Sequence, residues 1–175
     1  RNSTIHAGFE RAMCLNVSLV AILLTALSGV PGLALGRRSA VGQRVASTLL
    51  IAGALLGGTT ALVVLSRGGI ETSSFPGPLP ELTLHLRLDP LSAFFLLPVY
   101  VLGAAGSLYG TRYWRQAEHP ENGRKLGLFL GLLIASLAGV VLAADGVVFL
   151  FAWEIMVLAA FVLVTSEDDR DEVQQ

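Results

Sequence analysis

Five apolar runs divide the chain: Leu15–Leu35, Val45–Leu65, Leu91–Gly110, Leu126–Ala144 and Val147–Thr165. Each has the length of about 20 residues that a helix rising ~1.5 Å per residue needs to cross a hydrocarbon layer of ~30 Å. The pattern predicts an all-α membrane protein: a bundle of five transmembrane helices over residues 15–165, a tail over 1–14 and a charged segment over 166–175. The first run could instead be read as a cleaved leader, because Arg11 precedes it and Leu33-Ala-Leu-Gly36 offers the small residues of a cleavage site. Its length favours an uncleaved span in which Pro31 breaks only the end. Since the chain starts at Arg1 and stops in a charged stretch, we expect a fragment of a longer protein, with Met13 as a candidate true start.

The connections between the runs differ in character. Ser66–Asp89 is the longest; its first half, with Gly68, Gly69, Pro76, Gly77, Pro78 and Pro80, reads as turns. Its second half alternates, with Leu82, Leu84, Leu86 and Leu88 against Thr83, His85, Arg87 and Asp89. Period two predicts an extended β segment at the membrane surface, with one apolar face. It leads into Asp89-Pro90-Leu91-Ser92, where Asp89 suits the N-cap of the third helix and Pro90 its first position, which needs no amide donor. Pro98, deeper in that span, should kink it. Asp145-Gly146 is the only link between the last two runs and predicts a tight antiparallel helical hairpin.

Small residues recur every fourth position in the fourth run, at Gly127, Gly131, Ala135, Gly139 and Ala143. We read them as one smooth face that lets a neighbouring backbone approach, with Gly131 and Gly139 at its centre. Gly53 and Gly57, and Gly106 and Gly110, repeat the device in the second and third runs, so a compact bundle is expected.

Composition narrows the function. The chain is 53 % hydrophobic and 14 % charged, against about a quarter charged for a water-soluble domain. A net charge of -1 with scattered basic residues lacks the electrostatic footprint of a nucleic-acid binder. Cys14 is the only cysteine, so no thiolate cluster exists to hold a metal or an iron–sulfur centre; no cofactor is expected on this chain, and redox groups would belong to partners. Basic residues are unequally shared between the two sides: Arg37, Arg38, Arg44, Arg112, Arg115, Arg124, Lys125 and Arg170 against Arg1, Arg11, Arg67 and Arg87. Eight against four puts the N-terminus outside and the C-terminus in the cytoplasm.

The residue that carries candidate chemistry is Glu154, a carboxylate inside the fifth apolar run. A charged group at that depth costs roughly 2.5–3.5 kcal/mol on insertion scales, which makes it rare unless it serves an ion path. Its neighbours at three and four residues, Leu150, Phe151, Val157 and Leu158, are apolar, and no span holds an internal Lys, Arg or His to pair with it. Glu154 is then neutral, hydrated, or paired with residues beyond this sequence. Asp145 is a turn or cap residue with a possible accessory role in the proton path; His85 reads as solvated, and His6 and His119 have no metal-ligand companion. An anchoring or assembly subunit, with Glu154 as a protonated seam residue, is the alternative to ion transport. No nucleophile–base pair, phosphate-binding loop or metal-ligand cluster suggests an enzyme active site on this chain.

Two stretches, Leu86-Arg-Leu-Asp-Pro-Leu-Ser-Ala-Phe-Phe95 and Ala144-Asp-Gly-Val-Val-Phe-Leu-Phe-Ala-Trp-Glu-Ile-Met156, resemble the N-terminal part of the antiporter-like membrane subunits. That family includes the large proton-translocating subunits of respiratory complex I (NADH-quinone oxidoreductase), the membrane subunits of group 4 hydrogenases and formate hydrogenlyase, and the large subunits of Mrp-type sodium/proton antiporters. The resemblance implies a subunit of a redox-driven translocase in a bacterial or archaeal inner membrane, moving protons or exchanging sodium for protons beside other membrane subunits. It also implies that Glu154 lies on a chain of ionisable residues and is paired with a lysine from a later span. The hydrogenase-type subunit is the first choice among members.

Overall fold

The computed structural model describes residues 13–34, 40–77, 82–113 and 122–165. Most of the expected N-terminal tail, the charged C-terminal segment, His6 and His119 lie outside them. In chain order the elements are α1 (Met13–Leu27), α2 (Val30–Ala34), α3 (Ala40–Arg67), β1 (Glu71–Pro76), β2 (Thr83–Leu88), α4 (Pro90–Tyr113), α5 (Asn122–Leu142) and α6 (Gly146–Thr165). Among the described residues five helical segments are long and apolar enough to cross a membrane: Met13–Leu33, Val41–Arg67, Pro90–Thr111, Lys125–Leu142 and Gly146–Thr165. The chain is an integral membrane protein.

The first span is broken one turn before its proline. Pro31 cannot donate a hydrogen bond to the carbonyl four residues back, and its ring crowds that carbonyl, so the helix yields one turn upstream. α1 ends at Leu27, Ser28 and Gly29 form a turn, and α2 restarts the helix. The Ser28 hydroxyl donates to the Thr25 carbonyl (2.7 Å) and closes the end of α1. α4, by contrast, runs continuously through Pro98, which sits on its exposed side.

Helices α1, α3, α4 and α5 form a four-helix bundle, with α3 between α1 and α4, and α5 against both of those. On α4 the buried positions Ala93, Leu96, Tyr100, Gly103 and Ser107 alternate spacings of three and four, the signature of a helix with one stripe turned to a core. Close approach depends on missing side chains. The Tyr100 ring occupies the space a Cβ on Gly57 would need, and Gly53 lies against Ala21, Leu24 and Thr25 of α1. Gly103 meets Ile134 of α5 in the same way.

The small-residue ladder of α5 does not form one face. Positions four apart on a helix of 3.6 residues per turn drift by about 40° per step, so the ladder winds around α5. Gly131 presses on α1, where a Cβ would overlap the Thr25 carbonyl and the Ser28 hydroxyl. Gly139 faces α6, where a Cβ would sit 3.3 Å from Ala152. Gly127 meets nothing within 4 Å. Close approach of α1 to α5 also uses Gly29, whose Cβ would collide with the backbone of Leu128.

The connection between α3 and α4 folds into an antiparallel hairpin, with Glu71 opposite Leu88 and Pro76 opposite Thr83. The alternating half is β2, as the pattern predicts. Its partner β1 falls in the half read as turns, a correction: Glu71-Thr-Ser-Ser-Phe-Pro76 has no alternation of its own and becomes a strand through pairing. Gly68 and Gly69 take positive φ, 66° and 120°, and the Gly68 amide donates to the Val64 carbonyl, so these two residues end α3 and turn the chain into β1. The link between α5 and α6 is Ala143–Asp145, longer on one side than expected, because Ala143 leaves the helix to pair with Leu86 of β2.

Candidate functional site

The hairpin end of the molecule is held by carboxylates that accept from backbone amides. At the start of α4 the Asp89 Oδ1 accepts from Ser92 N (2.8 Å), and its carbonyl accepts from Ala93 N (2.8 Å). Arg87 pairs with its other oxygen at 3.1 Å. Asp145 does the same for α6: its Oδ1 accepts from Val147 N and Val148 N, both at 2.9 Å, and its carbonyl accepts from Phe149 N. Its Oδ2 accepts from the His85 amide of β2, while the His85 carbonyl accepts from Ala144 N. These amide donors hold both carboxyls below their ordinary value of 3.8, with the Ser92 amide the main cause at Asp89 and the Val148 amide the main cause at Asp145. The His85 side chain is exposed; its backbone makes the attachment. A third carboxylate acts without any local signal in the sequence: Glu71 Oε2 accepts from Leu15 N (2.7 Å) and caps the free first turn of α1 from 56 residues away.

Glu154 lies apart from this network, in the ninth position of α6. α6 is attached to the bundle by α5 and by β2. Only 11 % of its apolar window is buried, against 28 to 39 % for the other four spans. Ala152, which meets Gly139, and the buried Ala159 mark the side turned to α5. At about 100° per residue, Glu154 is about 200° round from Ala152 and points away from the bundle. Leu150, Phe151, Val157, Leu158 and Phe161 surround it, all exposed. Among the described residues no hydrogen-bond donor or cation reaches its carboxylate. Asp145, at the start of α6, and Glu154, more than two turns along, are not brought together.

No protein-family model matches the chain. Hydrogenase-4 component B of Escherichia coli (strain K12) is 26 % identical over 156 residues, 89 % of this chain and 23 % of that protein. The putative antiporter subunit mnhA2 of Staphylococcus aureus (strain MRSA252) is 31 % identical over 85 residues, 49 % of this chain and 10 % of that protein. The homologues of this chain are antiporter-like membrane subunits. Among solved structures, a chain of an archaeal respiratory membrane complex, the membrane-bound sulfane sulfur reductase, shares the fold. Its TM-score is 0.62 and its identity 22 %, over 82 % of this chain and 22 % of the other. The chain thus spans less than a quarter of the length of these relatives.

Proposed function

We propose that this chain is the N-terminal part of a membrane subunit that carries protons, or exchanges sodium for protons, in step with redox chemistry in a partner module, and that Glu154 is a proton-carrying site in it. The observation that supports this reading is the direction of Glu154. A carboxylate in the middle of an apolar span, turned away from its own bundle, would face lipid at a cost of several kcal/mol unless other protein covers it. Further spans of the same subunit, or neighbouring membrane subunits, supply that cover and the charged partner that tunes its proton affinity. The names of the relatives, a hydrogenase component and a putative antiporter subunit, agree with this role. The charge bias of the loops supports an external N-terminus in a cell membrane. The hairpin, the start of α1 and the α5–α6 link share one end of the bundle, and this reading makes it the outer one.

The test is Glu154→Gln in the full-length subunit, assembled with its complex in sealed vesicles. Gln keeps the shape and hydrogen bonding but has no titratable proton, so transport should fall to the background of vesicles without the subunit while assembly survives. Glu154→Asp should keep part of the activity. Normal transport in the Gln variant overturns the proposal and makes Glu154 a neutral residue in a helix seam.

A further inference from the structure

A cavity of about 40 Å³ opens between α2, α3, α4 and α5 at the end of the bundle opposite the hairpin. Its walls carry Gln43 and Ser47 of α3, Ser107 of α4, and a set of glycines that leave backbone within reach, among them Gly29 at the α1–α2 break and Gly110. Gln43 crosses it, its Nε2 donating to the Gly110 carbonyl at 3.2 Å. A membrane helix normally closes a serine or threonine hydroxyl onto its own carbonyls, and Thr25, Ser28, Thr60 and Ser136 all do so. Ser107 is 5 % exposed and makes no hydrogen bond to a described residue, yet it lines this cavity. A hydroxyl left dry at that depth costs about 1–3 kcal/mol. The space has room for about three waters, each requiring ~10–15 Å³ and two or more polar partners, which the two serines, the Gly110 carbonyl and the glycine backbones can supply.

We infer that this cavity is a blind aqueous vestibule: it holds ordered water bonded to Ser107 and Ser47, open to the side of the membrane where α3 begins and closed toward the middle. Ser107 lies six residues before the end of α4, so water reaches ~9 Å along the helix axis. Beyond it the next inward positions of α4 are sealed by apolar contact, Gly103 against Ile134 and Tyr100 against Gly57. The hydroxyls of Tyr100, at the seal, and of Ser18, beyond it, are buried with no partner among the described residues, and neither residue lines the cavity. Among the described residues the Lys125 and Arg44 side chains near the open end are exposed and positive, which favours neutral water over a metal cation as the occupant. Water that enters this cavity therefore ends at the Gly103–Ile134 and Tyr100–Gly57 contacts. The inference rests on the cavity and Ser107 alone and holds whether or not Glu154 carries protons.

The experiment uses the full-length subunit in sealed vesicles of both orientations, with Cys14→Ser to remove the native thiol. Single cysteines are introduced as Ser107→Cys, as Ser18→Cys beyond the seal and as Leu102→Cys on the lipid-facing side of α4, and the probe is aqueous Ag⁺. Because thiol reactivity follows access to solvent, Ser107→Cys should react at least about tenfold faster than either control, and only from the side opposite to a label at Ser73→Cys. Gly127 borders the cavity and a Cβ there meets nothing within 4 Å, so adding Gly127→Val should fill it and bring the Ser107→Cys rate down to that of the controls. Equal rates for the three positions, or a Ser107→Cys rate untouched by Gly127→Val, overturn the inference. Should the cysteine variant fail to assemble, water-edited solid-state NMR of the unmodified protein decides: magnetisation from water reaches the Ser107 amide before that of Leu102, or the vestibule is dry.

Discussion

α5 and α6 are neighbours of nearly equal length, and both are apolar enough to cross a membrane, yet they occupy different environments. α5 is read from several sides: Gly131 and Gly29 bring α1 onto it, Ile134 fills the notch at Gly103 of α4, and Gly139 admits Ala152 of α6. α6 touches the bundle along one side and turns its large side chains, and its single carboxylate, outward. The difference shows what an apolar sequence leaves open in a membrane. Hydrophobicity places a helix in the bilayer, whereas small residues decide which of its sides meets protein.

The strongest challenge to this contrast is a pair of substitutions two residues apart on α6. Ala152→Leu, on the side packed against Gly139, should damage assembly of the complex, while Glu154→Gln should leave assembly intact and remove transport. Yield of assembled complex and vesicle transport, measured on both, would collapse the distinction between the two sides if each variant lost the same property. A smaller effect is expected within α5 itself. Gly131→Ala forces a methyl group into the Thr25 carbonyl and Ser28 hydroxyl and should cost about 1–3 kcal/mol, as overpacking does, whereas Gly127→Ala meets open space and should be neutral or gain up to about 1 kcal/mol in helix propensity. Thermal stability of the two variants in one detergent should separate them, and matched midpoints would mean that the ladder acts as a single face after all.

Sequence pattern alone carried much of this architecture and stopped at identifiable places. The spans, the β2 alternation and the Asp89-Pro90 helix start are local signals, each legible within a few residues. β1 was not, because Glu71–Pro76 is made a strand by hydrogen bonds to residues 83–88 and not by its own composition. Nor was the cap on α1, since Glu71 is 56 residues from Leu15. The direction of Glu154 was likewise hidden: α6 is apolar all round, so no stripe distinguishes its sides until packing at Ala152 and Ala159 does. The ladder of α5 looks like one face in sequence but is not, because a spacing of four drifts on a helix of 3.6 residues per turn and takes Gly131 to α1 and Gly139 to α6.

Weaker effects are expected at the caps. Asp89→Ala removes the acceptor for Ser92 N and the partner of Arg87, and should cost about 1 kcal/mol of stability, as typical N-cap losses do. Asp89 and Asp145 both have lowered folded-state pKa values, so their contributions are complete above the unfolded-state value and vanish as pH falls through the lower folded one. Hydrogen-exchange protection of the Ser92, Val147 and His85 amides should therefore be level from about pH 7 to 5 and decline below about pH 4. Loss of protection at pH 6 would point to a different titrating group. The smallest change is expected at Tyr100, whose hydroxyl has no partner among the described residues: Tyr100→Phe should leave the melting midpoint unchanged or raise it slightly.

The hairpin also sets an order of events during synthesis. β1 and β2 emerge after α3, but the amide of His85 waits for an acceptor 60 residues further along the chain, and Glu71 must reach back 56 residues to find Leu15. Until α5 is inserted and Asp145 has followed it, the edge of β2 that pairs with Ala143 and Ala144 stays open, and an open strand edge is a site of wrong pairing. Closure of the Asp145 clip is thus a late, long-range step that reports whether the fifth helix has entered the membrane in its proper register.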